Sequence, residues 1–121
     1  MVIHVTDETS AVVDDLLPLT HIVYYVLLSL SDEARHGYGI IKDVADRTGG
    51  RLELEAGTLY AAIKRLRDDE LIDETPGPAD ADARRRYYRL TPRGERVLRA
   101  ESERLELMVQ LARDARVLPS S

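Results

Sequence analysis

At 121 residues the chain is long enough for one domain with its own core, and it needs no metal or disulfide to hold it together. It contains no cysteine, which excludes disulfide scaffolds, thiol catalysis, iron–sulfur clusters and cysteine-type zinc sites at once. Apolar residues make up 44% and charged residues 32%, the balance of a soluble, helix-rich domain, and the formal charge is −5.

That negative total would argue against a nucleic-acid partner if the charge were spread evenly, but phosphates meet a local surface. Residues 1–20 carry Asp7, Glu8, Asp14 and Asp15 with no Lys or Arg. Residues 84–99 carry seven arginines, Arg84, Arg85, Arg86, Arg89, Arg93, Arg96 and Arg99, against Glu95 alone. Arg outnumbers Lys by 15 to 2; a GC-rich coding bias accounts for most of that ratio, so the clustering is the useful signal. The longest apolar run, Ile22 to Leu30, is nine residues, about half of the ~20 that cross a bilayer. No basic segment precedes it, so the expected address is the cytoplasm, with no membrane partner and no secretory signal.

In chain order, residues 1–15 are acidic and without helical period, and read as a mobile or draped arm. From Leu19 the apolar positions Leu19, Ile22/Val23, Val26/Leu27 and Leu30 form a helical stripe, with Pro18 suited to its first turn. Ser31-Asp32-Glu33 and His36-Gly37 break it. A second helix carries Ile40/Ile41, Val44/Ala45 and Thr48 on one face and stops at Gly49-Gly50. Arg51-Leu52-Glu53-Leu54 alternates as a very short strand would.

The third helix is expected from about Ala56 to Asp69. Steps of about 100° put Leu59, Ala62, Ile63 and Leu66 inside and Gly57, Ala61, Lys64 and Asp68 outside. Tyr60 flanks the outer face on one edge, Thr58 and Arg65 on the other. Leu71-Ile72 opens a strand, Pro76-Gly77-Pro78 turns the chain, and Arg86-Tyr87-Tyr88-Arg89-Leu90 returns as its partner. Of the consecutive tyrosines one must face the core and one must face out. Thr91-Pro92 reads as an N-cap followed by Pro at the first helical position, starting a last helix of about 25 residues. The expected fold is therefore mainly α with a small β-hairpin: a winged helix-turn-helix over residues 16–91, with a long C-terminal dimerisation helix over 92–118.

A helix that enters a DNA major groove needs small residues at its centre, and Gly57 and Ala61 stand one turn apart. Thr58, Tyr60, Lys64 and Arg65 surround them with donors for phosphates or base edges. Gly57 costs a helix about 1 kcal/mol against Ala, so stability alone does not explain it. An ordinary solvated face is the competing account of this helix. Arg84, Arg85 and Arg86 at the hairpin tip repel one another unless neutralised, by DNA phosphates or by Asp80 and Asp82 of the same loop. Tyr38 opens the second helix, where its phenol would join backbone N–H groups at a phosphate or pack on the first helix. Leu98, Leu105, Met108, Ala112 and Ala115 form an apolar seam on the last helix, interrupted by Glu101, and with Tyr24 are the expected contacts of a homodimer.

Chemistry of other kinds finds little support. His4, His21 and His36 lack metal-ligand spacing, and Asp14-Asp15 and Asp68-Asp69 would diverge by about 100° on a helix. Ser10 and Ser102 have no glycine-rich elbow, and Gly37-Tyr38-Gly39 is too short for a nucleotide fingerprint. No catalytic, cofactor or metal site is expected.

The string His36-Gly37-Tyr38-Gly39-Ile40-Ile41-Lys42 is followed by Gly57-Thr58-Leu59-Tyr60 with Ile63-Lys64-Arg65-Leu66. Arg86-Tyr87-Tyr88-Arg89-Leu90-Thr91 with Gly94 comes last. Together, over roughly residues 20–115, these resemble the PadR family of transcriptional regulators, in its smaller subfamily with a short C-terminal helix. The resemblance implies a homodimeric winged helix-turn-helix repressor acting on a double-stranded operator with two half-sites, relieved by a small-molecule inducer. By position, Tyr38, Thr58, Tyr60 and Lys64 would lie near DNA, and Arg84 to Arg86 would form the basic side of the wing. The sequence departs from the family pattern at Glu55-Ala56, where Ser-Pro is common, and at Glu70, where Gly is usual before Leu-Ile. It departs again in the wing aspartates. It also has no tryptophan, so the stacking of flat ligands seen in some members does not carry over. The alternative function is a winged-helix protein–protein interaction module without DNA binding, motivated by the acidic total.

Overall fold

The computed structural model describes residues 16–120, so the expected acidic arm, residues 1–15, lies outside the described residues. The order is α1 (His21–Ser29), β1 (Arg35–His36), α2 (Gly37–Arg47), α3 (Ala56–Asp68), β2 (Ile72–Thr75), β3 (Tyr87–Leu90) and α4 (Pro92–Asp114). The three strands form one antiparallel sheet in the order β1-β3-β2. Three helices thus pack together and the sheet closes one side, as in a winged helix-turn-helix, while α4 runs on beyond.

The core is apolar and continuous. Val26 and Leu27 of α1, Ile40 and Val44 of α2, Leu59, Ile63 and Leu66 of α3 and Leu71, Ile72, Tyr88 and Val97 form one buried cluster. The four α3 positions expected inside, Leu59, Ala62, Ile63 and Leu66, are the four that are buried. Burying each large aliphatic side chain contributes roughly 1.5–3 kcal/mol, so this cluster is what holds the helices at fixed angles.

Local signals set most boundaries. Thr91 caps α4 by accepting from the Gly94 N–H at 3.0 Å, with Pro92 at the first helical position. The α4 helix docks so tightly that a Cβ on Gly94 would lie 2.0 Å from the Leu71 carbonyl oxygen. The α2 helix ends at Thr48, and Gly49 and Gly50 both take the left-handed region expected of a glycine stop.

Five expectations need correction. Pro18 lies outside α1, whose N-cap is Thr20, with Oγ1 accepting from Val23 N–H. Residues 51–54 form no strand: Leu52 N–H bonds to the Thr48 hydroxyl instead of a ladder partner. The additional strand is β1, whose two residues pair Arg35 with Tyr88 and His36 with Tyr87. The last helix stops at Asp114, and not near residue 118, because Arg116 turns left-handed (φ 63°) and Val117 N–H closes on the Ala112 carbonyl. Glu101, expected as a mere interruption, is 1% exposed and accepts the Leu19 N–H at 2.7 Å and the Arg104 guanidinium. Burial alone would raise its pKa, but the bonds from Arg104 and Leu19 outweigh that and hold it below the usual carboxylate range.

Glu70, in the place where a glycine was expected to be missed, has φ 61°. It closes α3 through two bonds: Glu70 N–H to the Arg67 carbonyl and Leu71 N–H to the Leu66 carbonyl. That is the Schellman arrangement, made here by a residue with a Cβ.

Candidate nucleic-acid interface

The outer face of α3 is open to water. Gly57, Thr58, Tyr60, Ala61, Lys64 and Arg65 are all exposed, and a Cβ added to Gly57 would meet nothing within 4 Å. No contact within the chain accounts for a glycine there. Glu55 stands at the N-cap of α3 and its side chain makes no capping bond to the first turn.

Beside that face lies a cleft of about 470 Å³ between the start of α2, α3 and the wing, lined by His36, Gly37, Tyr38, Tyr60, Arg84, Arg85, Arg86 and Tyr88. Three separate elements bring the predicted residues Tyr38, Tyr60 and the arginine run into this cleft. Tyr38 is 68% exposed, so it does not pack on the first helix. Tyr60 lays its hydroxyl against Gly37, where a Cβ would come within 2.7 Å of it. Of the two adjacent tyrosines, Tyr88 is buried, and Tyr87 lies over the Gly77 backbone in the wing.

The wing arginines do meet partners in their own chain. Arg84 bonds to Asp82 at 3.3 Å and Arg86 to Glu74 at 3.2 Å, while Arg67 also reaches Glu74 at 3.3 Å. The hydrogen bond from the Arg84 backbone N–H, and then that from its guanidinium, hold the Asp82 carboxyl below its usual pKa. Asp80, the other expected partner, forms no ion pair among the described residues. Arg85 instead faces the His36 ring, Nη1 to Nε2, at 2.9 Å. Lys64 pairs with Asp68 at 3.1 Å on the α3 surface. The Arg84 and Arg86 side chains are 92% and 71% exposed. Ion pairs that open are weak in water and give way to a better anion. Lys64, Arg67, Arg84 and Arg86 are paired, while Arg65 and Arg85 form no ion pair with a carboxylate among the described residues.

Reasoning from the sequence missed His36. It caps α2 through Nδ1, which accepts from Gly39 N–H at 3.0 Å. Burial, and then the Arg85 guanidinium, push its pKa below the ordinary histidine value. Its signals were its position immediately before the glycine that opens a helix and its place at the head of the string that resembles the family.

On α4 the predicted seam divides. Leu98 is buried in the domain's own core, which removes it from any intersubunit seam. Leu105 and Ala112 are half-buried, Met108 is 53% exposed and Ala115 is exposed. Leu107, Val109 and Leu111 of the same helix are exposed as well. Tyr24 of α1 is half-buried and its hydroxyl bonds to Ser102 Oγ at 2.9 Å.

The profile of the "Transcriptional regulator PadR-like family" matches residues 26–100. The chain belongs to the PadR-like family. Those residues span α1 from Val26 through the middle of α4 and include the whole cleft and the outer face of α3. A transcriptional regulator from Clostridium thermocellum is similar in structure, with a TM-score of 0.66 and 25% identity, covering 91% of this chain and 97% of that one. A PadR family regulator from Clostridium difficile matches with a TM-score of 0.65 and 25% identity over 78% of this chain and 97% of its own. Bacillus subtilis PadR, solved with operator DNA, shares the fold at a TM-score of 0.58 and 21% identity, over 67% of this chain and 46% of that one. Among the described residues no helix is long and apolar enough to cross a membrane, and no group of acidic and histidine side chains could hold a metal ion.

Proposed function

We propose that this PadR-like chain is a homodimeric repressor that binds an operator with two half-sites and is released from it by a small-molecule effector. The observation that carries the DNA-binding part is the exposed Gly57–Ala61 face of α3 beside a cleft of arginines from the wing. A helix with no side chain at its centre approaches base edges closely, while exposed guanidiniums neutralise phosphates on either side. Thr58, Tyr60, Lys64 and Arg65 are the groups for bases and phosphates on α3; Tyr38 and Arg84 to Arg86 are those of the cleft. On this reading residues 16–91 form the reading head and α4 the coupling element.

Pairing of two copies is supported by Leu107, Met108, Val109 and Leu111, which leave one half of α4 apolar and open to water. A second copy covers them with the same surface, and twofold pairing presents two α3 helices to successive turns of a duplex. Leu105, Met108, Ala112 and Ala115 would lie in that contact, with Tyr24 at its edge.

The test is binding of the purified protein to the DNA upstream of its own coding region, followed by fluorescence anisotropy across salt. Affinity should fall by about a thousandfold between low and physiological salt if six or more phosphates are neutralised. Alanine at Arg84 and Arg86 should weaken all duplexes alike and flatten that dependence, whereas Thr58→Ala should also blur sequence preference. Affinity that stays flat with salt, or a protein that sediments as one subunit at micromolar concentration, would overturn the reading. Stable co-purification of a protein partner with no DNA shift would favour the interaction-module alternative, which the internal pairing of Arg84 and Arg86 motivates.

A further inference from the structure

Around His36 the hydrogen-bond donors outnumber the acceptors. The residue sits at the N-cap of α2 with an extended backbone, and its Nδ1 accepts from Gly39 N–H at 3.0 Å. A neutral imidazole that accepts at Nδ1 carries its proton on Nε2. That Nε2 lies 2.9 Å from Arg85 Nη1, and arginine has only donors. One neutral ring cannot accept from both Gly39 and Arg85, and a protonated ring accepts from neither. The backbone N–H is the costlier to abandon: it belongs to a helix's first turn, where no carbonyl can replace the ring, and it is partly buried. Arg85 is exposed and can turn to water. The ring therefore keeps its bond to Gly39, and Nε2–H and the guanidinium are left as neighbouring donors with no acceptor for either among the described residues.

The ring's other neighbours offer it no acceptor. Tyr87 of β3 meets the ring edge-on at a centroid distance of 5.2 Å, and Tyr38 of α2 stacks on it at 6.4 Å. Arg35, the neighbour on β1, is turned to Asp32, Glu33 and Asp43. No carboxylate bonds to the ring among the described residues, and His36 lines the cleft that also holds Arg84, Arg85, Arg86 and Tyr60.

We propose that His36 is a phosphate-binding residue of the DNA interface, acting in its neutral form: Nε2–H and the Arg85 guanidinium donate together to one phosphate oxygen, with the ring aimed by its bond to α2. This rests on the DNA-binding reading above. The low basicity imposed by burial and Arg85 agrees with a ring that works unprotonated.

Two measurements test it. In the free protein near neutral pH, ¹⁵N spectra of the His36 ring should show the Nε2–H tautomer; the Nδ1–H tautomer would overturn the proposal. On adding a random-sequence duplex of about two helical turns at low salt, the Nε2 resonance should move and its proton should exchange more slowly. An unmoved Nε2 resonance in a protein that binds would overturn it and leave the DNA reading intact. The second measurement is affinity for the same duplex. His36→Asn keeps an oxygen able to cap Gly39 but places no donor where Nε2 stood. It should bind roughly three- to tenfold more weakly with unchanged circular dichroism and melting, and cost less than about twofold in an Arg85→Ala background, because both groups serve one oxygen. Binding within about twofold of wild type, or an equal loss in both backgrounds, would overturn the proposal. Wild-type protein that binds no duplex would overturn both.

Discussion

Glu70→Gly should stabilise the protein. Glu70 holds φ 61° at the end of α3, a conformation that crowds the Cβ of an L-residue and costs roughly 1–2 kcal/mol relative to the right-handed region. Glycine removes that cost. Against this stands the larger freedom of glycine in the unfolded chain, about 0.4–1 kcal/mol. The Glu70 side chain contributes little that would be lost: its carboxylate lies 3.9 Å from Arg93 and is 80% exposed, a pair of nearly zero worth. Its backbone does the structural work, and glycine keeps it: the carbonyl accepts the Thr91 hydroxyl at 2.7 Å, and the N–H reaches Arg67. The net gain is about 0.5–1 kcal/mol, or a rise in melting temperature of roughly 2–5 °C for a chain of this size. Denaturant unfolding of wild type, Glu70→Gly and Glu70→Ala, with equal m-values, measures it. Alanine retains the Cβ and should gain nothing. Equal gains from glycine and alanine would show that the side chain, and not the backbone conformation, was the cost, and the argument would fail.

Gly94→Ala works in the opposite direction: its Cβ would sit 2.0 Å from the Leu71 carbonyl oxygen, so α4 must shift, at a cost of about 3 kcal/mol or more; a melting temperature within a degree or two of wild type would refute the packing described. Glu101→Gln keeps an acceptor for Leu19 but leaves Arg104 without its charge partner, and should lower stability by about 1–3 kcal/mol in denaturant unfolding. The depressed pKa of His36 makes the unfolded state the better proton binder. Its contribution is therefore complete above pH about 6.5 and is lost as pH falls from there through the lower folded value. Unfolding midpoints at pH about 7.5 and 5.5 should differ less in His36→Asn than in wild type, and an equal difference would contradict the assignment.

Long periodic segments were readable in the sequence and short or pairwise features were not. The inward face of α3 follows from the helical period because every residue on it meets the same core. Thr91-Pro92 and Gly49-Gly50 announce their boundaries through residues whose backbone preferences admit few alternatives. Two residues carry no period, so β1 becomes visible only when β3 is beside it. Residues 51–54 alternate like a strand, yet a single hydroxyl, that of Thr48, took the backbone bond a neighbour would have needed. Glu101 looked like a gap in an apolar seam because its partner, the Leu19 N–H, is 82 residues away. Leu98 shares its helical stripe with residues further along α4, and nothing in the spacing marks where the domain's core ends and the open surface begins. The candidate interface follows the same division. Tyr38, Tyr60 and the arginine run were recognisable one by one, but their meeting in one cleft, and the place of His36 between them, is a property of the fold.

The absence of a Cβ at Gly94 welds α4 to the corner between α3 and β2, with the Leu71 carbonyl in the joint. Twenty-three residues at about 1.5 Å each make a stiff lever of roughly 34 Å. In the proposed pair, pivoting the two levers about their far ends by only about 10° would swing each head by some 6 Å, nearly two base steps. On the repressor proposal, a molecule wedged between the levers would need only a small change of angle, with no loosening of the heads, to put them out of step with the groove.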